Sequence, residues 1–98
     1  MTESGGREWT FLTSHARVLV HVARNPQARI RDIADACLLS IRAVQLILDD
    51  LEEAGYLTRQ RTGRHNTYRV TPGTHMRRAA DGPRTVALVL DLPEQTDH

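Results

Sequence analysis

The strongest pattern in the chain runs from Ser40 to Gly55. Val44, Ile47, Leu48 and Leu51 recur there at helical spacing, and Arg42, Gln45 and Asp49 fall on another face. This predicts an amphipathic helix over 41–54. Ser40 is placed to cap its N-terminus through the hydroxyl, and Gly55 to end it in the left-handed conformation at no steric cost. Upstream, Val18, Leu19, Val22 and Ala23 form the stripe of a helix capped by Thr13 or Ser14 and stopped by Asn25-Pro26. Ile33 and Ala34 mark a short helix over 31–36, with Asp32 in the first turn where its charge favours the helix dipole. Cys37-Leu38-Leu39 joins it to Ser40 without the glycine often found in such turns. Short helix, three-residue turn and longer capped helix make a helix-turn-helix.

Past Gly55 the period becomes two. Residues 56–60 and 67–70 alternate like half-buried strands, and the polar stretch 61–66 holds Gly63 and Asn66, both tolerant of positive φ. The prediction is a β-hairpin. Ala28-Arg29-Ile30 reads as a short edge strand. Trp9 and Phe11, the only Trp and the only Phe, are expected to pack beneath the first helix. Thr71-Pro72-Gly73 ends the sheet. Residues 85–92 are apolar nearly all round, so a strand and a short helix both fit. A short helix is favoured because Pro83 suits a first turn and Pro93 an end. The predicted organisation is a tail at 1–8, a domain at 9–72, a linker at 73–83 and a C-terminal segment at 84–98. The fold class is α+β, mainly α, with a two-stranded basic hairpin and a short apolar C-terminal element.

Composition narrows the function. Ninety-eight residues make one small domain, 40% hydrophobic and 26% charged, with a formal net charge of only +1. Whole-chain charge therefore does not announce nucleic acid. All 13 basic residues are Arg, whose planar fork suits phosphates and guanines. Four of them, Arg59, Arg61, Arg64 and Arg69, lie in the hairpin with no acid between them, next to His65. Such a hairpin is suited to gripping phosphate or entering a minor groove. Arg42 and Gln45, in the first turns of the capped helix, suit guanine and adenine edges in a major groove. A single Cys allows no intramolecular disulfide, and Cys37 reads as a buried thiol rather than a redox switch. No apolar run is long enough to span a membrane and the N-terminus lacks a signal peptide's apolar core, so a cytoplasmic setting is expected. His15 and His21 are six apart and do not share a face. No catalytic, metal-binding or cofactor-binding pattern is present, so neither an enzyme nor a cofactor is expected.

The run Arg31-Asp32-Ile33-Ala34, then Arg42-Ala43-Val44-Gln45, then Asp50-Leu51-Glu52-Glu53-Ala54-Gly55-Tyr56-Leu57-Thr58-Arg59 resembles the winged helix-turn-helix of MarR-like and ArsR-like bacterial transcriptional regulators. The similarity covers roughly residues 9–70. It looks most like small actinobacterial regulators that start Trp-Thr-Phe-Leu-Thr, as at residues 9–13 here. The resemblance implies double-stranded DNA binding, with Ser40, Arg42 and Gln45 on the reading face and Arg64 on the wing. Two residues depart from the pattern. Ile41 and Leu46 fall at exposed positions where such proteins commonly carry Glu and Arg. Leu46 suits a thymine methyl but not a phosphate. These departures support an alternative, a protein-interaction module that meets a partner through Ile41 and Leu46. The long terminal helices of MarR dimers are missing, so the C-terminal segment, with Val86, Val89 and Leu90, is expected to serve a homodimer.

Overall fold

The computed structural model describes residues 9–93. Three helices come first: α1 (Ser14–Arg24), α2 (Ile30–Cys37) and α3 (Ile41–Glu53). Strands β1 (Leu57–Thr62) and β2 (His65–Val70) follow, then a 3-10 turn at Ala79–Asp81 and a short α4 (Val86–Val89). The α1 cap is Thr13, whose Oγ1 accepts from Ala16 N–H at 3.0 Å. The α3 cap is Ser40, whose Oγ accepts from Ala43 N–H at 3.0 Å. Each hydroxyl satisfies a donor that the first helical turn leaves orphaned.

Both ends of the helix-turn-helix close in the same way. After α3, Gly55 takes φ 86°. Its N–H donates to Glu52 O at 3.1 Å, and Tyr56 N–H donates to Leu51 O at 2.9 Å. That pair of reversed bonds satisfies carbonyls the last turn would leave open. After α2 the left-handed residue is Leu38, at φ 58° and ψ 46°, and Leu39 N–H donates to Ala34 O at 2.9 Å. A leucine accepts this conformation at a cost of roughly 1–2 kcal/mol that glycine would avoid.

The core lies where the three helices meet the hairpin. Val18, Leu19 and Val22 of α1, Ile33 of α2, Val44 and Leu48 of α3, and Leu57 and Tyr68 of the hairpin are all buried. The stripe read from the sequence in α3, Val44, Ile47, Leu48 and Leu51, is its buried face. Each full side-chain burial of this kind contributes about 1.5–3 kcal/mol. It is this packing that fixes α3 against α1 and α2.

The hairpin is longer and its turn tighter than the alternation predicted. The strands pair antiparallel from Leu57↔Val70 to Thr62↔His65, which leaves only Gly63-Arg64 as the turn. Gly63 has φ 63° and Arg64 does not take a positive φ. That is the pattern of a type II′ turn, whose twist matches the flanking strands. Asn66 needs no special backbone and sits in β2 opposite Arg61. Tyr56 belongs to the helix stop and not to β1. The edge strand expected at 28–30 does not form. Among the described residues the sheet has two strands. Ile30 begins α2, and Tyr68 N–H donates to Pro26 O at 2.8 Å, tying the hairpin to the loop before it.

The ends also differ from expectation. Trp9 and Phe11 do not pack beneath α1. They are 73% and 90% exposed and stack edge to face, with centroids 4.9 Å apart. The stretch 73–83 is tied to the domain. Tyr56 Oη donates to His75 O at 2.6 Å, Thr74 Oγ1 donates to Gly55 O at 2.6 Å, and His75 bridges Thr85. The C-terminal segment is helical, as favoured, but its cap is Thr85, whose Oγ1 accepts from Leu88 N–H at 3.2 Å, and not a turn begun by Pro83. The tails at 1–8 and 94–98 lie outside the described residues.

Candidate nucleic-acid interface

The core fixes which side of α3 is left to solvent. With Val44, Ile47, Leu48 and Leu51 turned inward, Arg42 and Gln45 are exposed in the first turns, as are Ile41 and Leu46 at 46% and 51%. Among the described residues, no side-chain hydrogen bond or ion pair engages Arg42 or Gln45, so both polar ends are available. Ser40 is exposed too; its oxygen accepts one bond in the cap, which leaves its O–H and one acceptor site for a contact.

The wing divides its arginines. Arg64 occupies the two-residue turn and is exposed. Arg61 and His65 flank it, both exposed, and Arg61 Nε donates to Gly63 O at 3.2 Å, which braces the turn. Arg59 is placed differently. Its Nη2 donates to Asp49 Oδ1 at 2.6 Å and to Glu52 Oε1 at 2.7 Å, and its Nε reaches Glu52 Oε1 at 3.0 Å. Its side chain is only 23% exposed. Burial alone would lower its pKa, but the bonds and charges of the two carboxylates outweigh this and raise it. Arg59 thus clamps β1 to the exposed flank of α3. It also neutralises two acids that would otherwise repel phosphate. The sequence grouped Arg59 with Arg61, Arg64 and His65 as DNA contacts; in the fold it is an internal partner, and the other three remain at the surface.

A second tie runs from α1 to α3. His15 Nε2 lies 2.8 Å from Asp50 Oδ2. The four consecutive-turn acids of α3 are therefore not equivalent. Asp49 and Glu52 face the wing, and Asp50 faces α1.

Of the residues assigned to dimerisation, Val86 and Leu90 are half-buried against the chain's own core. Val89 is 44% exposed, and Leu88 of the same apolar segment is 66% exposed. An open groove of about 440 Å³ separates α4 and Met76 from Phe11, Leu19 and Tyr56. Its wall is mostly apolar, with His15, Arg77, Arg78 and Asp81 also lining it.

Other chemistry is sparse. Cys37 is buried, and burial raises its thiol pKa against a smaller opposing pull from Arg17. Among the described residues, no three His, Cys, Asp or Glu side chains are grouped to hold a metal ion. No helix among them is long and apolar enough to cross a membrane.

A sequence model described as the MarR family matches residues 10–65, from the start of the described chain through all three core helices to the wing turn. No curated protein matches the chain.

Proposed function

The chain belongs to the MarR family, a family of DNA-binding transcription regulators, and we propose that it is a sequence-specific regulator that reads double-stranded DNA. In this reading α3 enters the major groove and the hairpin wing lies on the backbone or in the adjacent minor groove. The observation that carries it is the pairing of two exposed surfaces. Arg42 and Gln45 stand exposed on the first turns of a capped helix, and Arg64 and Arg61, the latter braced through Nε on Gly63 O, stand exposed at the wing tip. Arg and Gln are the side chains that pair in bidentate fashion with guanine and adenine edges. The wing arginines supply the sequence-independent grip.

The working unit we propose is a homodimer formed through the outer face of α4 and the apolar groove beside it. Two copies present two recognition helices, so the operator is an inverted repeat with half-sites about one DNA turn apart.

The readout is tested by titrating Gln45→Ala against single-base variants of a bound duplex. The variant should lose roughly 1–3 kcal/mol of discrimination at one base pair per half-site and keep it elsewhere. Unchanged discrimination at every position removes Gln45 from the reading face. A protein-interaction module, the second reading, is favoured by the exposure of Ile41 and Leu46, and it predicts no sequence discrimination for any variant.

A further inference from the structure

The exposed face of α3 has an order that the list of its residues hides. At 100° per residue, Ile41, Gln45, Arg42 and Leu46 follow one another around an arc of about 140°. Ile41 and Leu46 form its two edges, and the polar pair lies between them. Asp49 falls inside the same arc one turn further on, where it is held by Arg59 at 2.6 Å. The acid that would spoil this face for DNA is therefore compensated from within the chain. What remains at the N-terminal end is a donor-bearing strip flanked on each side by a branched aliphatic group, 46% and 51% exposed.

We propose that Ile41 and Leu46 read the 5-methyl groups of thymines that flank the base pairs bound by Arg42 and Gln45. This rests on the DNA-binding reading and adds the chemical class of the sequence recognised. A protein surface is the other occupant to be weighed. The charge around the patch favours DNA. Arg42 lies between the two aliphatic groups, and the wing beyond carries exposed Arg61, Arg64 and His65. A protein-binding helix face would be expected to carry a continuous apolar stripe. Here the apolar groups are separated by a guanidinium and a carboxamide, side chains that match base edges. In the major groove the thymine methyl is the one apolar group a base pair presents, and it projects beside the hydrogen-bonding edges. A face with donors in the centre and aliphatics at the rims fits a core of A·T or G·C pairs bounded by thymines.

The inference can be tested without altering the protein. A bound duplex is enriched from random sequence with the intact chain, then resynthesised with deoxyuridine in place of thymidine, one position at a time. This removes a methyl and leaves pairing and hydrogen-bonding edges unchanged. Two positions in each half-site should lose about fourfold in affinity, the factor that corresponds to one buried methyl. Leu46→Ala should abolish the sensitivity at one of them and Ile41→Ala at the other. Both residues are at the surface, and circular dichroism of the variants checks that they fold. Affinity unchanged by deoxyuridine at every thymine, or a sensitivity that survives both variants, overturns the methyl assignment and leaves DNA binding intact. Failure to enrich any duplex overturns both readings and gives the face to a protein partner.

Discussion

Leu38 and Gly55 occupy equivalent places and should respond to substitution with opposite signs. Both are left-handed residues that end a helix by the same reversed bonds. Leu38 is 90% exposed, so its side chain recovers little of the backbone cost by packing. Leu38→Gly should raise stability by about 0.5–1 kcal/mol, the relief of strain being partly offset by glycine's freedom in the unfolded chain. Gly55→Ala should lower it by about 1 kcal/mol. A Cβ there meets nothing within 4 Å, so the loss comes from φ alone. Urea midpoints with unchanged slopes measure both, and a lower midpoint for Leu38→Gly contradicts the reading of that turn. Cys37 gives a further check at this scale. Its burial and raised pKa mean that a thiol reagent should label the native chain far more slowly than the unfolded one. Ser40 and Gly55 were legible in the sequence because their types match the chemistry of a helix start and stop. Leu38 was not, because its conformation is imposed by the geometry between two packed helices against its own preference.

Among elements, the informative contrast is between two arginines of one hairpin. Arg59 is spent on Asp49 and Glu52, and Arg64 sits exposed in the turn. Replacing Arg64 with Ala should weaken binding to all duplexes alike and flatten the salt dependence by about one unit, with stability unchanged to within about 0.5 kcal/mol. Replacing Arg59 with Ala should cost about 1 kcal/mol of folding stability, since two half-exposed carboxylates lose a shared partner. If Arg59→Ala is as stable as the parent protein, the clamp between wing and helix is not energetically real. The basic hairpin itself could be read from composition and alternation. Which arginine turns inward could not, because the partners lie seven and ten residues away across the Gly55 turn. The tighter turn is not visible in the side-chain pattern for a related reason. Polar residues continue to alternate poorly past residue 60, yet backbone pairing carries the strands to Thr62 and His65. The strand expected at 28–30 failed because Ile30 has a better use, half-buried against the core at the start of α2.

At the scale of the whole molecule, two surfaces are proposed to serve different tasks. One is the exposed face of α3 with its wing. The other is the groove lined by Phe11 and Val89, near which Trp9 stacks on Phe11 and α4 exposes Leu88. The sequence placed Trp9 and Phe11 under α1 because the only Trp and the only Phe are better used in packing than exposed, but α1's buried face is made by Val18, Leu19, Val22 and Ala23 and packs on the other helices and the hairpin. Sedimentation should show the intact chain as a dimer at micromolar concentration, and Leu88→Glu should return it to a monomer. A monomeric parent protein at that concentration contradicts the dimer. The claim on which everything else depends is sequence-specific recognition of DNA by α3 and the wing. Selection of duplexes from a random pool by the intact protein at low salt tests it most directly. The account predicts enrichment of an inverted repeat whose half-sites are about one helical turn apart. A pool that remains random after repeated rounds contradicts it.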